Sequence, residues 1–199
     1  MTTYKINEIF TSIQGEGKFV GYPVIFLRLA GCSMGCSFCD TKYCQQVNQQ
    51  MTAKEIINYF ADKFPFFSRV VITGGEPFEQ DLSDLLFLLD KNEYAIHIET
   101  NCAHDIPKEY ANVIWLTGSP KKRWEDKTVK YCDEIKVVVS TDKDINKALH
   151  LHDVNRQALL YLQPESNKPE NIKKCVEACL KWPHIFHLSV QVHKMIEVR

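Results

Sequence analysis

The chain has 199 residues, of which 45% are hydrophobic and 25% are charged, a composition typical of a globular protein with a sizeable core. Its 24 basic and 25 acidic residues give a formal net charge of −1, which argues against a nucleic-acid-binding surface and against disorder caused by like charges. No apolar run approaches the roughly 18 residues needed to cross a bilayer, and the N-terminal residues lack the pattern of a secretory signal. We therefore expect a cytoplasmic protein with neither a membrane nor a nucleic acid as its partner.

Short apolar runs rich in β-branched residues alternate with helical patterns along the chain. Strands are predicted at Tyr4–Phe10, Val24–Ala30, Arg69–Thr73, Ala95–Thr100, Asn112–Thr117, Glu134–Ser140, Ala158–Leu162 and His187–Val192. The first helix is predicted to begin at the capping box Thr52–Glu55, and further helices are predicted at about Gln80–Lys91, Lys143–His152 and Pro169–Trp182. The stretch Gly118–Asp133 has no clear helical pattern.

This alternation, with short connections, predicts an α/β fold whose parallel sheet is covered by helices. A closed eightfold barrel usually needs about 250 residues. We therefore predict a partial, open β/α barrel, with residues 1–199 forming one domain because no linker or repeat interrupts the chain. In such folds ligands bind at the carboxyl ends of the strands.

Three cysteines follow the second predicted strand with the spacing C-x3-C-x2-C: Cys32, Cys36 and Cys39. An apolar helix stripe would share this spacing, but Gly31 and Gly35 favour a tight loop instead. Two metal sites remain open from the residues alone. One is structural zinc with Cys44 as a fourth ligand, and the other is a 4Fe-4S cluster in which one iron has no protein ligand.

Two motifs together resemble the radical S-adenosylmethionine (SAM) superfamily. The first is C-x3-C-x-aromatic-C, in which Phe38 is the aromatic residue, and the second is Thr73–Pro77, which reads TGGEP after the next strand. The resemblance implies a 4Fe-4S cluster held by Cys32, Cys36 and Cys39. Its open iron would chelate SAM, which is cleaved by one electron to methionine and a 5′-deoxyadenosyl radical.

Further segments narrow the resemblance to the 7-carboxy-7-deazaguanine synthase family, over about Ile6 to Arg199. They are Ser12–Gly17, Arg28, Glu99–Asn101, Ser119–Lys121, Lys136, Gln163–Pro164 and Gln191–Lys194. This family implies a carbon–nitrogen lyase that converts 6-carboxy-5,6,7,8-tetrahydropterin to 7-carboxy-7-deazaguanine with release of ammonia, on the route to queuosine and other deazapurines. SAM would be regenerated in each turnover.

The resemblance also implies a role for particular positions of this chain. The pterin substrate would be bound by Ile13, Gln14, Gly15, Arg28 and Thr73. SAM would be bound by Phe38, Cys39, Asp40, Gly75, Ser119, Pro120, Lys121 and Gln163, and Thr41 would bind Mg²⁺. Arg28 lies in an apolar strand and needs a partner, which is either the substrate carboxylate or a carboxylate in a rim salt bridge. Cys102 occupies a position where a glycine is expected.

The resemblance implies a flavodoxin or ferredoxin as electron donor and a homodimer as the assembly. Two other functions compete with this interpretation. A glycyl-radical-enzyme activase shares the cysteine spacing but acts on a protein, so it has no need of the Gln14–Gly17 segment together with Arg28. A zinc-binding interaction module would use the cysteines without catalysis.

Overall fold

The computed structural model describes residues 2–36, 39, 44–107 and 110–199. They fall into two compact units. The first unit contains Met1–Ser12, Pro23–Thr100 and His104–Trp115, and the second contains Ile13–Tyr22, Asn101–Ala103 and Leu116–Arg199.

The first unit is built on strands that bring the cysteine loop and the TGGEP motif to one end of a sheet. Its strands are β1 (Thr3–Ile13), β2 (Pro23–Leu29), β3 (Gln49–Thr52), β4 (Arg69–Gly74) and β5 (Ala95–Thr100), in the order β3-β1-β2-β4-β5. Its helices are α1 (Ala53–Lys63) and α2 (Ser83–Lys91). Strands β2, β4 and β5 are parallel, whereas β1 and β3 are antiparallel. Val70, Val71 and Ile72 are consecutive and fully buried, so both faces of β4 are covered.

The second unit repeats the alternation of strand and helix. Its strands are β6 (Ile114–Gly118), which begins in the first unit, β7 (Glu134–Val139), β8 (Leu159–Pro164) and β9 (Phe186–Leu188). Its helices are α3 (Asp126–Val129), α4 (Asp142–Val154), α5 (Pro169–Lys181) and α6 (Val192–Met195). Each strand pairs with the next in parallel. In β7 the charged residues Glu134 and Lys136 are as buried as their apolar neighbours, and therefore need partners inside the protein.

The predicted α/β class with a mostly parallel sheet is confirmed, and the boundaries show where local signals were weak. Strand β3 was not expected because Gln49–Thr52 is largely polar. The second helix begins at Ser83 rather than Gln80, since the Asp81 side chain accepts from the Ser83 amide at 3.0 Å and so marks its start. The last strand ends at Leu188, and the one-turn helix α3 lies within the stretch that showed no helical pattern.

Within the described part of the chain, no helix has the length and apolar character needed to span a bilayer.

Candidate active site

The three cysteines of the predicted metal site lie in one loop after β2, and each thiol is partly exposed and free of disulfide bonds. The Cys39 amide donates to the Cys36 carbonyl at 3.2 Å, which closes a turn between these two residues. A single loop that presents three thiols offers the donor set that an iron–sulfur cluster takes. Across the described ranges, no three His, Cys, Asp or Glu side chains converge as a metal site. These ranges include Cys32, Cys36 and Cys39, so the loop fits the cluster by its donor chemistry and its exposure and not by a preformed convergence of the three thiols.

A fourth cysteine, Cys44, lies at the end of the same loop. Its carbonyl accepts from the Gly31 amide at 2.7 Å, and its thiol lies beside that of Cys39. Burial, together with the neighbouring Cys39 thiol, raises the pKa of Cys44. Cys44 therefore shares the loop, the free thiol and the partial exposure of the three motif cysteines.

The TGGEP loop after β4 is joined to the start of the cysteine loop through main-chain atoms. The Gly75 amide donates to the Leu29 carbonyl at 2.9 Å, and the Glu76 amide donates to the Gly31 carbonyl at 2.8 Å. The Glu76 side chain is 1% exposed, and its Oε1 accepts from the Thr100 hydroxyl at 2.7 Å and from the Phe78 amide at 3.2 Å. This carboxylate therefore fixes the loop, and the absence of a Cβ on Gly74 and Gly75 lets the loop pack directly against the backbone of Leu29 and Gly31.

Arg28 and Thr73 are register partners on β2 and β4, so their side chains emerge at the same level of the sheet. The Arg28 Nε donates to Glu8 Oε1 at 2.8 Å, with side-chain exposures of 20% and 17%, and the guanidinium lies 5.7 Å from the ring centre of Phe10. Arg28 thus has the carboxylate partner that an arginine in an apolar strand requires. The Thr73 hydroxyl donates to Glu99 Oε2 at 3.2 Å.

In the second unit, the segment Ile13–Gly17 forms a loop that main-chain hydrogen bonds join to neighbouring segments. The Gln14 amide donates to the Tyr22 carbonyl at 2.8 Å, and the Gln14 carbonyl accepts from the Gly21 amide at 2.9 Å. The Gly15 carbonyl accepts from the Val192 amide at 3.0 Å, and the His193 ring lies so close to Gly15 that a side chain there would collide with it. The loop is therefore fixed in place before any ligand binds.

The Ser119–Lys121 segment follows β6 and is held by side chains of the same unit. Lys121 Nζ donates to the Ser119 hydroxyl at 2.7 Å. Lys147 Nζ donates to the carbonyls of Pro120 at 2.6 Å and Lys121 at 3.0 Å, and lies 4.8 Å from the ring centre of Trp124. Helix α4, which carries Lys147, thus fixes the backbone of this segment.

Cys102 adopts a φ of +63°, in the left-handed region that glycine prefers. Glycine, the residue expected at this position, would adopt this conformation without strain. The Cys102 side chain is fully buried, and its Sγ lies 3.9 Å from that of Cys132. The two sulfurs pack against Gly118, which directly precedes Ser119. Cys102 therefore contributes to the packing that supports the Ser119–Lys121 segment.

Sequence reasoning missed a buried polar cluster centred on Glu16. Lys136 forms an ion pair with Glu16, and the side-chain amides of Gln163 and Gln191 both donate to Glu16 Oε1, at 3.2 and 2.8 Å. Gln163, expected at SAM, therefore places its amide on the loop that carries Gln14. The available signal was the pair of charged residues within the otherwise apolar run of β7.

Three expected site residues, Phe38, Asp40 and Thr41, lie outside the described residues.

Comparison with known proteins extends these observations to the whole chain. The family model of the radical SAM superfamily matches residues 27–185. The 7-carboxy-7-deazaguanine synthase of Bacteroides thetaiotaomicron is 36% identical and that of Buchnera aphidicola is 34% identical. The first alignment covers 98% of both chains, and the second covers 98% of this chain and 99% of the relative.

The crystal structure of QueE from Escherichia coli matches this fold with a TM-score of 0.86 at 30% identity, over 96% of this chain and 95% of that one. The match confirms the predicted partial barrel of the radical SAM type, whose sheet is open. Both the superfamily match and the full-length relatives agree with the motifs at the strand ends. The chain belongs to the radical SAM superfamily and, within it, to the 7-carboxy-7-deazaguanine synthase family.

Proposed function

We propose that this chain converts 6-carboxy-5,6,7,8-tetrahydropterin to 7-carboxy-7-deazaguanine with release of ammonia, as a radical SAM lyase of queuosine and deazapurine biosynthesis. One observation carries the proposal. The superfamily model begins at residue 27 and ends at residue 185, yet similarity to the synthases extends over 98% of the chain. The Ile13–Gly17 loop and the Gln191–Lys194 segment lie outside the superfamily match, and they are bonded to each other in the second unit.

Cys32, Cys36 and Cys39 are the residues that would hold the 4Fe-4S cluster, through their thiolates. The cluster and SAM, when bound, supply the one-electron chemistry that starts the rearrangement. The Gly75 backbone, held against Gly31, and the fixed Ser119–Lys121 segment are suited to bind SAM, because neither needs to rearrange to receive a ligand. Phe38, Cys39, Asp40 and the main chain at Gln163, whose side-chain amide is bonded to Glu16, complete the proposed SAM site.

Arg28 is suited to bind the substrate carboxylate. A guanidinium presents several N–H donors in one plane, so the bond from its Nε to Glu8 orients the group without neutralising its capacity to form a second pair. Thr73, its register partner, adds a hydroxyl at the same level. The Ile13–Gly15 backbone would receive the pterin ring, and its fixed conformation removes the free-energy cost of ordering a loop on binding.

Three parts of the proposal rest on the family resemblance. Thr41 would contribute a hydroxyl to Mg²⁺, which accepts sparse protein ligation because it retains waters and uses substrate oxygens. A flavodoxin or ferredoxin would supply the electron, and the chain would act as a homodimer.

The two competing functions receive less support. A glycyl-radical-enzyme activase would account for the cysteine loop and the TGGEP motif, but it leaves the Ile13–Gly17 loop and Arg28 without a role. A zinc-binding module would leave both the TGGEP motif after β4 and the Ile13–Gly17 loop after β1 without a role.

The assignment is tested by incubating anaerobically reconstituted, reduced protein with SAM and the carboxytetrahydropterin. The expected result is 7-carboxy-7-deazaguanine, identified by its absorbance and mass, together with ammonia. Cys36→Ala should lose the cluster and all activity. Cys44→Ala is its matched control, since it removes a thiol from the same loop, and it should retain about four irons per chain and a cluster resonance that SAM perturbs.

Two results would contradict the assignment. Active, cluster-loaded protein that forms no deazapurine would remove the synthase function. Equal loss of iron from Cys36→Ala and Cys44→Ala would indicate a four-cysteine site, and stoichiometric zinc in the protein as purified would then favour the interaction module.

A further inference from the structure

The Glu16 carboxylate joins the loop after β1 to three other segments of the second unit. Lys136 in β7 forms an ion pair with it, and Gln163 in β8 and Gln191 after β9 donate to its Oε1. The side chains of Lys136 and Glu16 are only 7% and 13% exposed. Lys194 extends the cluster, since its Nζ donates to Gln191 Oε1 at 2.8 Å.

The backbone on either side of Glu16 is bonded to the same segments. The Gly17 amide donates to the Ser189 hydroxyl at 3.1 Å, and the Lys18 amide donates to Glu134 Oε2 at 3.0 Å. On the other side, the Glu16 amide donates to Gln14 Oε1 at 3.2 Å. The Glu16 side chain thus contacts three segments at once: β7, β8 and the segment after β9.

The charge on Glu16 is fixed at all physiological pH values. Burial raises the pKa of this carboxyl, but the charge of Lys136 and the bonds from Lys136 and Gln191, with a smaller contribution from His193, lower the pKa to about 2. Its two oxygens already accept from three donors, which leaves little capacity for a ligand.

Buried ion pairs add little net stability compared with apolar side chains of similar size, because both charges lose their hydration. In some proteins such a pair instead fixes one arrangement of the segments that it joins. Here one of those segments is the loop in which the proposed function places the pterin.

We propose that Glu16 is a positioning residue: by joining the Ile13–Gly15 segment to Lys136, Gln163 and Gln191, it holds that backbone in the conformation that binds the pterin, without contacting the pterin itself. This inference rests on the proposed function for the identity of the ligand. The ordering of the loop by Glu16 is a property of the chain alone.

The test uses Glu16→Gln in the cluster-loaded protein. The amide keeps the shape of the side chain, but it removes the charge and has a single acceptor oxygen, so its N–H₂ group must face either Lys136 or the donors Gln163 and Gln191. We expect the KM for the pterin to rise about tenfold or more, because the loop must be ordered on binding, while the dissociation constant for SAM changes by no more than about twofold. Hydrogen exchange of amides 14–18 should accelerate about tenfold without substrate, and amides of β7 should keep their protection.

A double variant, Glu16→Leu with Lys136→Met, separates positioning from stability, because leucine can accept no hydrogen bond from Gln163 or Gln191. Removing both charges relieves the unpaired lysine, so the unfolding midpoint should return toward that of the parent protein. The raised KM and the fast exchange should remain, because the join between the segments is still absent. Asp144→Asn is the matched control. Its carboxylate accepts from the amides of Ser140 and Thr141 at the start of α4, so its loss should lower stability and leave the KM unchanged.

Each outcome decides the inference. Unchanged exchange at residues 14–18 in Glu16→Gln, or a KM that returns to the parent value in the double variant, would show that Glu16 serves stability alone. If the parent protein forms no deazapurine, the proposed function fails, and the exchange measurement still decides whether Glu16 orders the loop.

Discussion

Gly75 and Gly31 meet backbone to backbone, so closely that a Cβ on Gly75 would collide with the Gly31 carbonyl group. The same carbonyl oxygen accepts from the Glu76 amide at 2.8 Å. Because the partner atoms belong to the main chain, neither can move away as a side-chain tip could. The contact joins the TGGEP loop to the residue that precedes Cys32, so the proposed SAM contacts and the proposed cluster ligands depend on one another for their positions.

Gly75→Ala is therefore expected to impair two functions at once. Overpacking of this kind typically lowers the free energy of unfolding by about 1–3 kcal/mol. We expect iron content after reconstitution to fall and SAM binding to weaken together, as measured by iron analysis and by titration of the cluster resonance with SAM. Gly21→Ala is the control, since Gly21 has a φ of +92° but no atom within 4 Å of the place that a Cβ would occupy. It should lose roughly 1–2 kcal/mol through backbone strain and keep its iron. A Gly75→Ala protein with full iron and normal SAM affinity would contradict this interdependence.

Arg28→Lys separates substrate binding from the ion pair with Glu8. Lysine keeps the charge but has no planar set of N–H donors, so a carboxylate bound by the guanidinium would lose at least one bond. Charge-assisted hydrogen bonds contribute about 1.5–3 kcal/mol each, which predicts a KM for the pterin raised roughly tenfold to a hundredfold. Affinity for SAM should be unaffected.

Glu8→Gln is the comparison for this prediction. A partly exposed ion pair contributes about 0–1 kcal/mol, so the Glu8→Gln substitution should change the KM by about fivefold at most. Equal effects of the Arg28→Lys and Glu8→Gln substitutions on the KM would mean that Arg28 acts only through its pair with Glu8.

The sequence predicted those parts of the candidate site whose residues lie close together along the chain. The cysteine spacing and the TGGEP motif are local patterns at strand ends, and a parallel sheet brings successive strand ends together. The cluster around Glu16 was not predictable in this way, because Glu16 is separated from each of its three partners by more than a hundred residues and the four positions follow no periodicity. Only the buried charge of Lys136, inside an apolar strand, indicated that a partner was needed. Strand β3 escaped prediction for a related reason, since its pairing with β1 leaves its side chains largely outside the core.

Gly118→Ala tests the packing of the two buried cysteines, Cys102 and Cys132, against Gly118. A Cβ at this position would lie 2.5 Å from Cys132 Sγ and 2.8 Å from Cys102 Sγ, both closer than packed atoms allow. The substitution should lower the free energy of unfolding by about 1–3 kcal/mol and weaken SAM binding, because Ser119 is the next residue. Chemical unfolding and SAM titration measure the two effects.

Removing the Cys132 sulfur, the closer of the two, should partly rescue this variant. Cys132→Ala alone should be destabilising because it leaves a cavity, yet combined with Gly118→Ala it makes room for the new methyl group. The double variant is therefore expected to be more stable than the sum of the single changes predicts, by about 1 kcal/mol or more. Strict additivity would show that the chain around Gly118 relaxes in some other direction.

His97 makes the stability of the first unit sensitive to acid. The residue is 5% exposed on β5, and its Nε2 lies 2.7 Å from a terminal nitrogen of Arg69. Burial, followed by the charge of Arg69, lowers the pKa of His97 from 6.5 to about 4. Between these two pH values the unfolded chain binds a proton that the folded chain does not, so stability contributed by neutral His97 is complete above pH 6.5 and is lost as the pH falls toward 4.

The loss should reach roughly 1 kcal/mol at pH 5.5 and on the order of 3 kcal/mol near pH 4. His97→Gln removes the titration while its amide oxygen can still accept from Arg69. We expect this variant to be less stable than the parent protein at pH 7.5, with a difference that narrows by about 1 kcal/mol at pH 5.5 in urea unfolding under anaerobic conditions. His184→Gln, at an exposed position, is the matched control for the replacement of a histidine by glutamine. A gap between His97→Gln and the parent that stays constant with pH would mean that His97 titrates alike in the folded and unfolded chains, and that the Arg69 contact does not keep it neutral.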